Sequence, residues 1–181
     1  MPVHSNISLR VSRGVVLFGI AALVGWIGAD ADAGTVRRAK AITNEQTRSG
    51  LTVDLSLRVK KGEPILARLQ FTNRGSTIYE LLSWLTFPGG RIDSKNYFSV
   101  NVDGRPCRYI GITKKRGNPT AADYIAVKPG ESLTSGVSLS EAYAISGPGL
   151  LTVVYSAINP GLAEDAPGDR LVSGTVSVRL D

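Results

Sequence analysis

Hydrophobic and polar residues alternate with a period of two along most of the chain beyond residue 50. Leu51, Val53, Leu55, Leu57 and Val59 interleave with Thr52, Asp54, Ser56 and Arg58, the pattern of a half-buried strand. Ile65, Ala67, Leu69 and Phe71 repeat it after a turn at Lys60-Lys61-Gly62-Glu63-Pro64, and Asn73-Arg74-Gly75-Ser76 ends that strand. Ile78 to Phe87 is more continuously apolar and reads as a strand leading into an irregular crossover, stopped by Pro88-Gly89-Gly90. Phe98, Val100 and Val102 alternate again, and Asp103-Gly104 predicts a tight hairpin with Tyr109–Thr113 as its return strand.

The pattern continues to the C-terminus. Tyr124–Val127 is short and β-like, and Pro129-Gly130 suits the central positions of a type II turn. Leu133, Val137 and Leu139 follow, then a helical turn or bent connection over Ser140–Ser146. Leu151, Val153, Tyr155 and Ala157 form one face of the next strand. Val172, Val176, Val178 and Leu180 form one face of the last. Seven to nine short strands, with turn signals every ten residues or so and no long 3.6-period segment, predict an all-β fold. The expected architecture is an antiparallel, Ig-like β-sandwich over residues 51–181.

The N-terminus differs in kind. Arg10 and Arg13 precede an uncharged apolar run from Gly14 to Ala29, and Ala31-Asp32-Ala33 supplies small residues for a signal peptidase. Residues 1–33 therefore read as a signal peptide cleaved near Ala33, which predicts a secreted or periplasmic protein. Retention as a membrane anchor is the competing reading, but the run falls short of the roughly 20 residues that span a bilayer. Residues 34–50 are polar, with Arg37, Arg38, Lys40 and Arg48 against Glu45, and read as a loose lead-in.

Charge and chemistry narrow the function mostly by exclusion. The formal net charge is +6, and removing residues 1–33 takes away two cations and two anions and leaves it unchanged. Such an excess favours acidic partners through long-range attraction. The single histidine, His4, lies in the signal segment. A Ser-His-Asp or Cys-His site is thereby excluded from residues 34–181. The single cysteine, Cys107, can form no intramolecular disulfide and reads as a small buried hydrophobe, with pairing to another molecule as the alternative. Asp93, Asp103, Asp123 and Glu131 are explained by turns, and Glu164-Asp165 with Asp169 make too sparse a set for calcium. No catalytic residue, metal site or cofactor is expected. Lys114-Lys115-Arg116 is the densest basic cluster; in an exported chain it reads as a protected edge or a protein contact rather than a nucleic-acid site.

The order of several short pieces is similar to the N-terminal, pro-region-like β domain of deuterolysin-type metalloendopeptidases, in the peptidyl-Lys branch. The pieces are Phe71-Thr72-Asn73-Arg74-Gly75, Leu81-Leu82, Phe98-Ser99-Val100, Asp103-Gly104, Tyr109-Ile110-Gly111 and Lys115-Arg116. They continue in Val127–Ser132, Leu139-Ser140-Glu141-Ala142-Tyr143 and Gly149–Tyr155. In that family the β domain precedes a zinc peptidase domain; here the chain is expected to end where the peptidase would begin. No H-E-x-x-H motif occurs, so the resemblance transfers fold and partner type and no activity. It implies a non-catalytic sandwich that binds a protein, as inhibitor or folding partner of a metalloendopeptidase. The alternative is an envelope or extracellular adhesion module for glycan or matrix. Contact is expected at the loops Lys114–Thr120 and Asn159–Asp169. The residues expected to touch a partner are Lys114, Lys115, Arg116, Asn118, Tyr109 and Tyr143.

Overall fold

Two antiparallel sheets face one another across a shared apolar core. The computed structural model describes residues 36–40, 50–162 and 167–181. The signal segment, most of the lead-in and Glu164-Asp165 lie outside those residues. The first sheet runs in the order β1 (Arg37–Lys40), β2 (Leu51–Val59), β3 (Leu66–Asn73) and β8 (Ser132–Ser138). The second is built on β9 (Gly149–Asn159), flanked on one side by β5 (Phe98–Val102) and the two-residue β6 (Arg105–Pro106). On its other side lie β10 (Asp169–Val172) and β11 (Val176–Leu180). A two-stranded ribbon, β4 (Tyr79–Leu82) with β7 (Tyr124–Val127), completes the fold.

The alternation in the sequence becomes the two faces of each strand. Val53, Leu55 and Leu57 of β2 and Ala67, Leu69 and Phe71 of β3 are buried. They meet Leu151, Val153, Tyr155 and Ala157, the inward face of β9. Tyr155 is fully buried at the centre, edge-on to Phe71 at 5.9 Å and to Phe98 at 5.4 Å between ring centroids. Phe87 joins this cluster from a left-handed backbone conformation (φ 51°), which a bulky residue adopts only when packing holds it there. The all-β sandwich is thus as expected.

The hairpin at Asp103-Gly104 is also as expected, with both residues at positive φ and Val102 paired to Arg105. The Asp103 carboxylate accepts the Leu150 N–H at 2.8 Å, tying the turn to β9. Gly149 is needed there, because a Cβ would lie 2.6 Å from Asp103 Oδ2.

Several local expectations are corrected. Arg37–Lys40, within the segment read as a loose lead-in, is strand β1, paired along β2 from Arg37–Val59 to Lys40–Ser56. The hairpin return is Arg105–Pro106, and Tyr109–Thr113 forms no strand beyond one bridge between Tyr109 and Tyr143. The final strand is split. Val172 pairs with Ser156 but Val176 with Val153, so three residues, Ser173 to Thr175, face two on β9. This bulge reverses the inward parity: Leu171 and Ser173 point in before it, Val176 and Val178 after it. The buried Ser173 hydroxyl mends the ladder by accepting the Tyr155 N–H at 3.0 Å and donating to the Gly174 carbonyl at 2.9 Å. With β1, β6 and the split strand, the described residues hold eleven strands rather than seven to nine.

Two buried asparagines attach the ribbon to the sheets. Asn159, at the end of β9, accepts the Leu82 N–H at 2.8 Å and donates to the Glu80 carbonyl at 2.9 Å, as a neighbouring strand would. Asn73, at the end of β3, donates to the Thr77 and Val127 carbonyls, both at 2.8 Å, and accepts the Gly75 N–H at 2.9 Å. Each amide satisfies backbone groups that burial would otherwise leave unpaired. No helix among the described residues is long and apolar enough to cross a membrane.

Candidate protein-binding surface

The residues between β6 and β7 follow an irregular path that is nonetheless closely held. Cys107 N–H donates to Val100 at 2.8 Å, and Ala144 N–H donates to the Arg108 carbonyl at 2.9 Å. Ile110 and Gly111 both donate to the Ala142 carbonyl, at 2.8 and 3.2 Å, and Lys114 N–H donates to the Asp93 carbonyl at 3.1 Å. The Tyr109 ring packs edge-on against Tyr143 at 5.3 Å. Its hydroxyl turns under the loop, between the Ile92 carbonyl at 3.0 Å and the Ile112 carbonyl. Partial burial pushes the Tyr109 phenol above its ordinary range, which keeps it a donor.

This anchoring explains why a stretch patterned like a strand is not one. Tyr109 curls beneath Gly111, where a Cβ would lie 2.7 Å from its hydroxyl. The isoleucines on either side of that glycine are left projecting outward, and Ile110 and Ile112 are each 49% exposed. Beneath them, Ile92, Ala142 and Ser138 line a shallow pocket of about 190 Å³, with Arg91 and Glu141 also on its wall. The Ser138 hydroxyl is buried there and has no hydrogen-bond partner among the described residues. A buried hydroxyl left unpaired carries a free-energy cost that an arriving polar group removes.

The residues expected to touch a partner separate into two groups. Lys114, Lys115 and Asn118 are exposed on the outer side of the loop. Arg116 is engaged: its guanidinium pairs with the Asp93 carboxylate and lies 4.6 Å from the centre of the Trp84 ring. Tyr109 shapes the loop from below. Tyr143 is corrected outright. It is 3% exposed, its hydroxyl donates to the Phe98 carbonyl at 3.1 Å, and burial raises its pKa well above the usual tyrosine range. It is a core residue and offers nothing to a partner.

The far end of the loop is closed by Asp123. Its carboxylate accepts the Thr120 N–H and hydroxyl, both at 2.8 Å. Those bonds hold its pKa below the ordinary value, with Trp84 and Arg116 adding to the effect. Cys107 is half-buried against the core, and burial raises its thiol pKa. In the second expected contact loop, the described shoulders are structural: Asn159 holds β4, Tyr124 donates to the Pro160 carbonyl at 3.1 Å, and Tyr79 donates to Asp169 at 3.1 Å. No cluster of three or more His, Cys, Asp or Glu side chains suited to a metal occurs among the described residues.

Sequence reasoning missed Ile110 and Ile112 as surface residues. Their alternation with Gly111 looked like a strand; the signal against that was the glycine itself, flanked by large apolar residues and preceded by a tyrosine. What results is a fixed ledge with two exposed isoleucines beside two exposed lysines, the mix of apolar centre and charged rim that protein interfaces use.

No family model matches the chain. Over 107 residues it is 33% identical to an extracellular protease of Aeromonas hydrophila, and the aligned part is 59% of this chain. The chain spans only 30% of that relative's length. Residues of this chain are therefore similar to a region of an extracellular protease, in line with the protease relation that the sequence motifs implied.

Proposed function

We propose that this chain is an exported, non-catalytic β-sandwich that binds a protein, and that its partner is a secreted metalloendopeptidase which it inhibits or helps to fold. The observation that carries the reading is the likeness of 107 residues to part of a much longer extracellular protease. The only histidine of the sequence, His4, falls within residues 1–33, so residues 34–181 supply no imidazole for the zinc chemistry of such enzymes. The contact surface in this reading is the ledge of Ile110, Ile112, Lys114, Lys115 and Asn118. Its hydrogen-bonded anchoring limits the ordering cost of binding.

The test is a titration of the purified protein into a deuterolysin-type, lysine-specific metalloendopeptidase, from sub-stoichiometric to excess ratios. Saturable inhibition with the sandwich recovered intact supports the inhibitor form. A raised yield of active enzyme on refolding, without inhibition, supports the folding-partner form. Rapid cleavage of the sandwich, or no effect in either assay, counts against a metalloendopeptidase partner.

A further inference from the structure

The outer face of the first sheet carries a second feature. Where Leu57, Ala67 and Val137 point into the core, their neighbours point outward and meet in two adjacent rows. Arg38, Arg58 and Leu66 form one row, and Ser56, Arg68 and Gly136 the next. Arg38, Ser56, Arg58, Leu66, Arg68 and Gly136 line a groove of about 620 Å³. Gly136 has no side chain there, which opens a trough beside Leu66, itself 37% exposed.

The charged side chains that line this groove among the described residues are all arginines, Arg38, Arg58 and Arg68. Arg38 lies directly opposite Arg58, and Arg68 lies on the diagonal from Arg58, about 7–8 Å from it by ordinary sheet spacing. Like charges directly opposite in a sheet destabilise it. Arg58 is relieved by Glu63 at 3.0 Å. Arg38 and Arg68 have no acidic partner among the described residues, and Asp54, the next outward position on β2, is itself engaged. Two guanidiniums with no acidic partner among the described residues, over an apolar floor, match a ligand that brings carboxylates and an apolar side chain together.

The geometry points to this groove as a docking site for an acidic, leucine-containing segment of a partner protein, with carboxylates on Arg38 and Arg68 and an apolar side chain in the Leu66–Gly136 trough. The inference rests on the protein-binding reading above and adds a second contact to it. Guanidinium and carboxylate pair through two parallel hydrogen bonds, so such a segment gains both affinity and register. A bare polyanion gains only the charge.

The probe is a fluorescein-labelled peptide of alternating Glu and Leu, measured by anisotropy against the full chain. Its controls are the Lys–Leu peptide, a Glu–Ser peptide and inorganic polyphosphate. Two variants test the groove. Arg38→Glu with Arg68→Glu reverses these two charges. Gly136→Leu fills the trough; the first carbon fits, since a Cβ at Gly136 meets only the Ala67 carbonyl, at 4.0 Å. Thermal melts confirm that each variant folds. The expected result is saturable binding of the Glu–Leu peptide, at least tenfold weaker in each variant, with none of the Lys–Leu peptide. Unchanged affinity in either variant overturns the proposal. Equal binding of the Glu–Ser peptide or polyphosphate also overturns it, by showing a general anion surface. The two readings fail separately. Peptide binding without any effect on a peptidase leaves the groove and removes that partner; peptidase binding that both variants leave intact removes the groove alone.

Discussion

Arg116 and Asp93 form an ion pair that joins the basic loop to the connection between β4 and β5, with the guanidinium also lying against the Trp84 ring. Asp93 is 7% exposed and Arg116 belongs to the most basic run of the chain. A cluster that looks like a uniform contact patch in sequence is therefore divided in the structure between fastening and display.

Arg116→Ala should lower stability by about 1–3 kcal/mol, because it leaves a nearly buried carboxylate without its charged hydrogen-bond partner. Lys114→Ala and Lys115→Ala should each stay within about 0.5 kcal/mol of the parent, as surface changes do. Urea denaturation of the three single variants checks this. Equal midpoints for all three would mean that Arg116 does not fasten the loop.

The asparagine clasp makes a second prediction. Asn159→Leu removes both bonds to β4 and leaves the Leu82 N–H and Glu80 carbonyl to compete for water in a buried setting. A loss of about 2–4 kcal/mol is expected from two such unpaired groups. Hydrogen exchange should show β4 and β7 losing protection before β2, β3 and β9. Uniform loss across all strands would place the amide in the global core rather than in the ribbon.

Alkaline pH should unfold the protein in a particular way. Tyr79, Tyr143 and Tyr155 are buried, and burial raises the pKa of each above the ordinary 10.0; the Asp169 carboxylate adds to the rise at Tyr79. Above pH 10 the unfolded chain releases these protons while the folded chain keeps them, so fewer protons are bound in the unfolded state and stability falls as pH rises. Below pH 10 the contribution is complete. The slope should reach about 1.4 kcal/mol per pH unit for each tyrosine that stays protonated. Absorbance at the phenolate band should show these phenols ionising together with unfolding. Independent ionisation in the folded protein near pH 10 would contradict their burial.

Much of the sandwich was legible in the sequence because its inner strands carry clean alternation. β2, β3 and β9 are each apolar at every second position, and Asp103-Gly104 can make little but a tight turn. What escaped the pattern depends on side-chain hydrogen bonds or on tertiary pairing. β1 is four residues, Arg-Arg-Ala-Lys, and gains its strand form only from lying along β2. The bulge at Ser173 inverts a parity that looks continuous in sequence. Asn73 and Asn159 read as turn residues, and nothing local marks them as buried clasps. Of the candidate surface, the sequence marked the exposed Lys114, Lys115 and Asn118 by their polarity, but not that Tyr143 is core or that the two isoleucines beside Gly111 face out.

The proposed binding of a secreted metalloendopeptidase by the Ile110–Lys115 ledge is tested by a calorimetric titration of that enzyme with two proteins, the parent and an Ile110→Asp, Ile112→Asp double variant. Both isoleucines are surface residues, so the variant should melt close to the parent. Saturable binding by the parent and at least a tenfold weaker affinity for the variant are expected, since exposed apolar anchors at an interface centre carry much of its energy. Equal affinity of the two proteins, or no heat from either at any ratio, would contradict it.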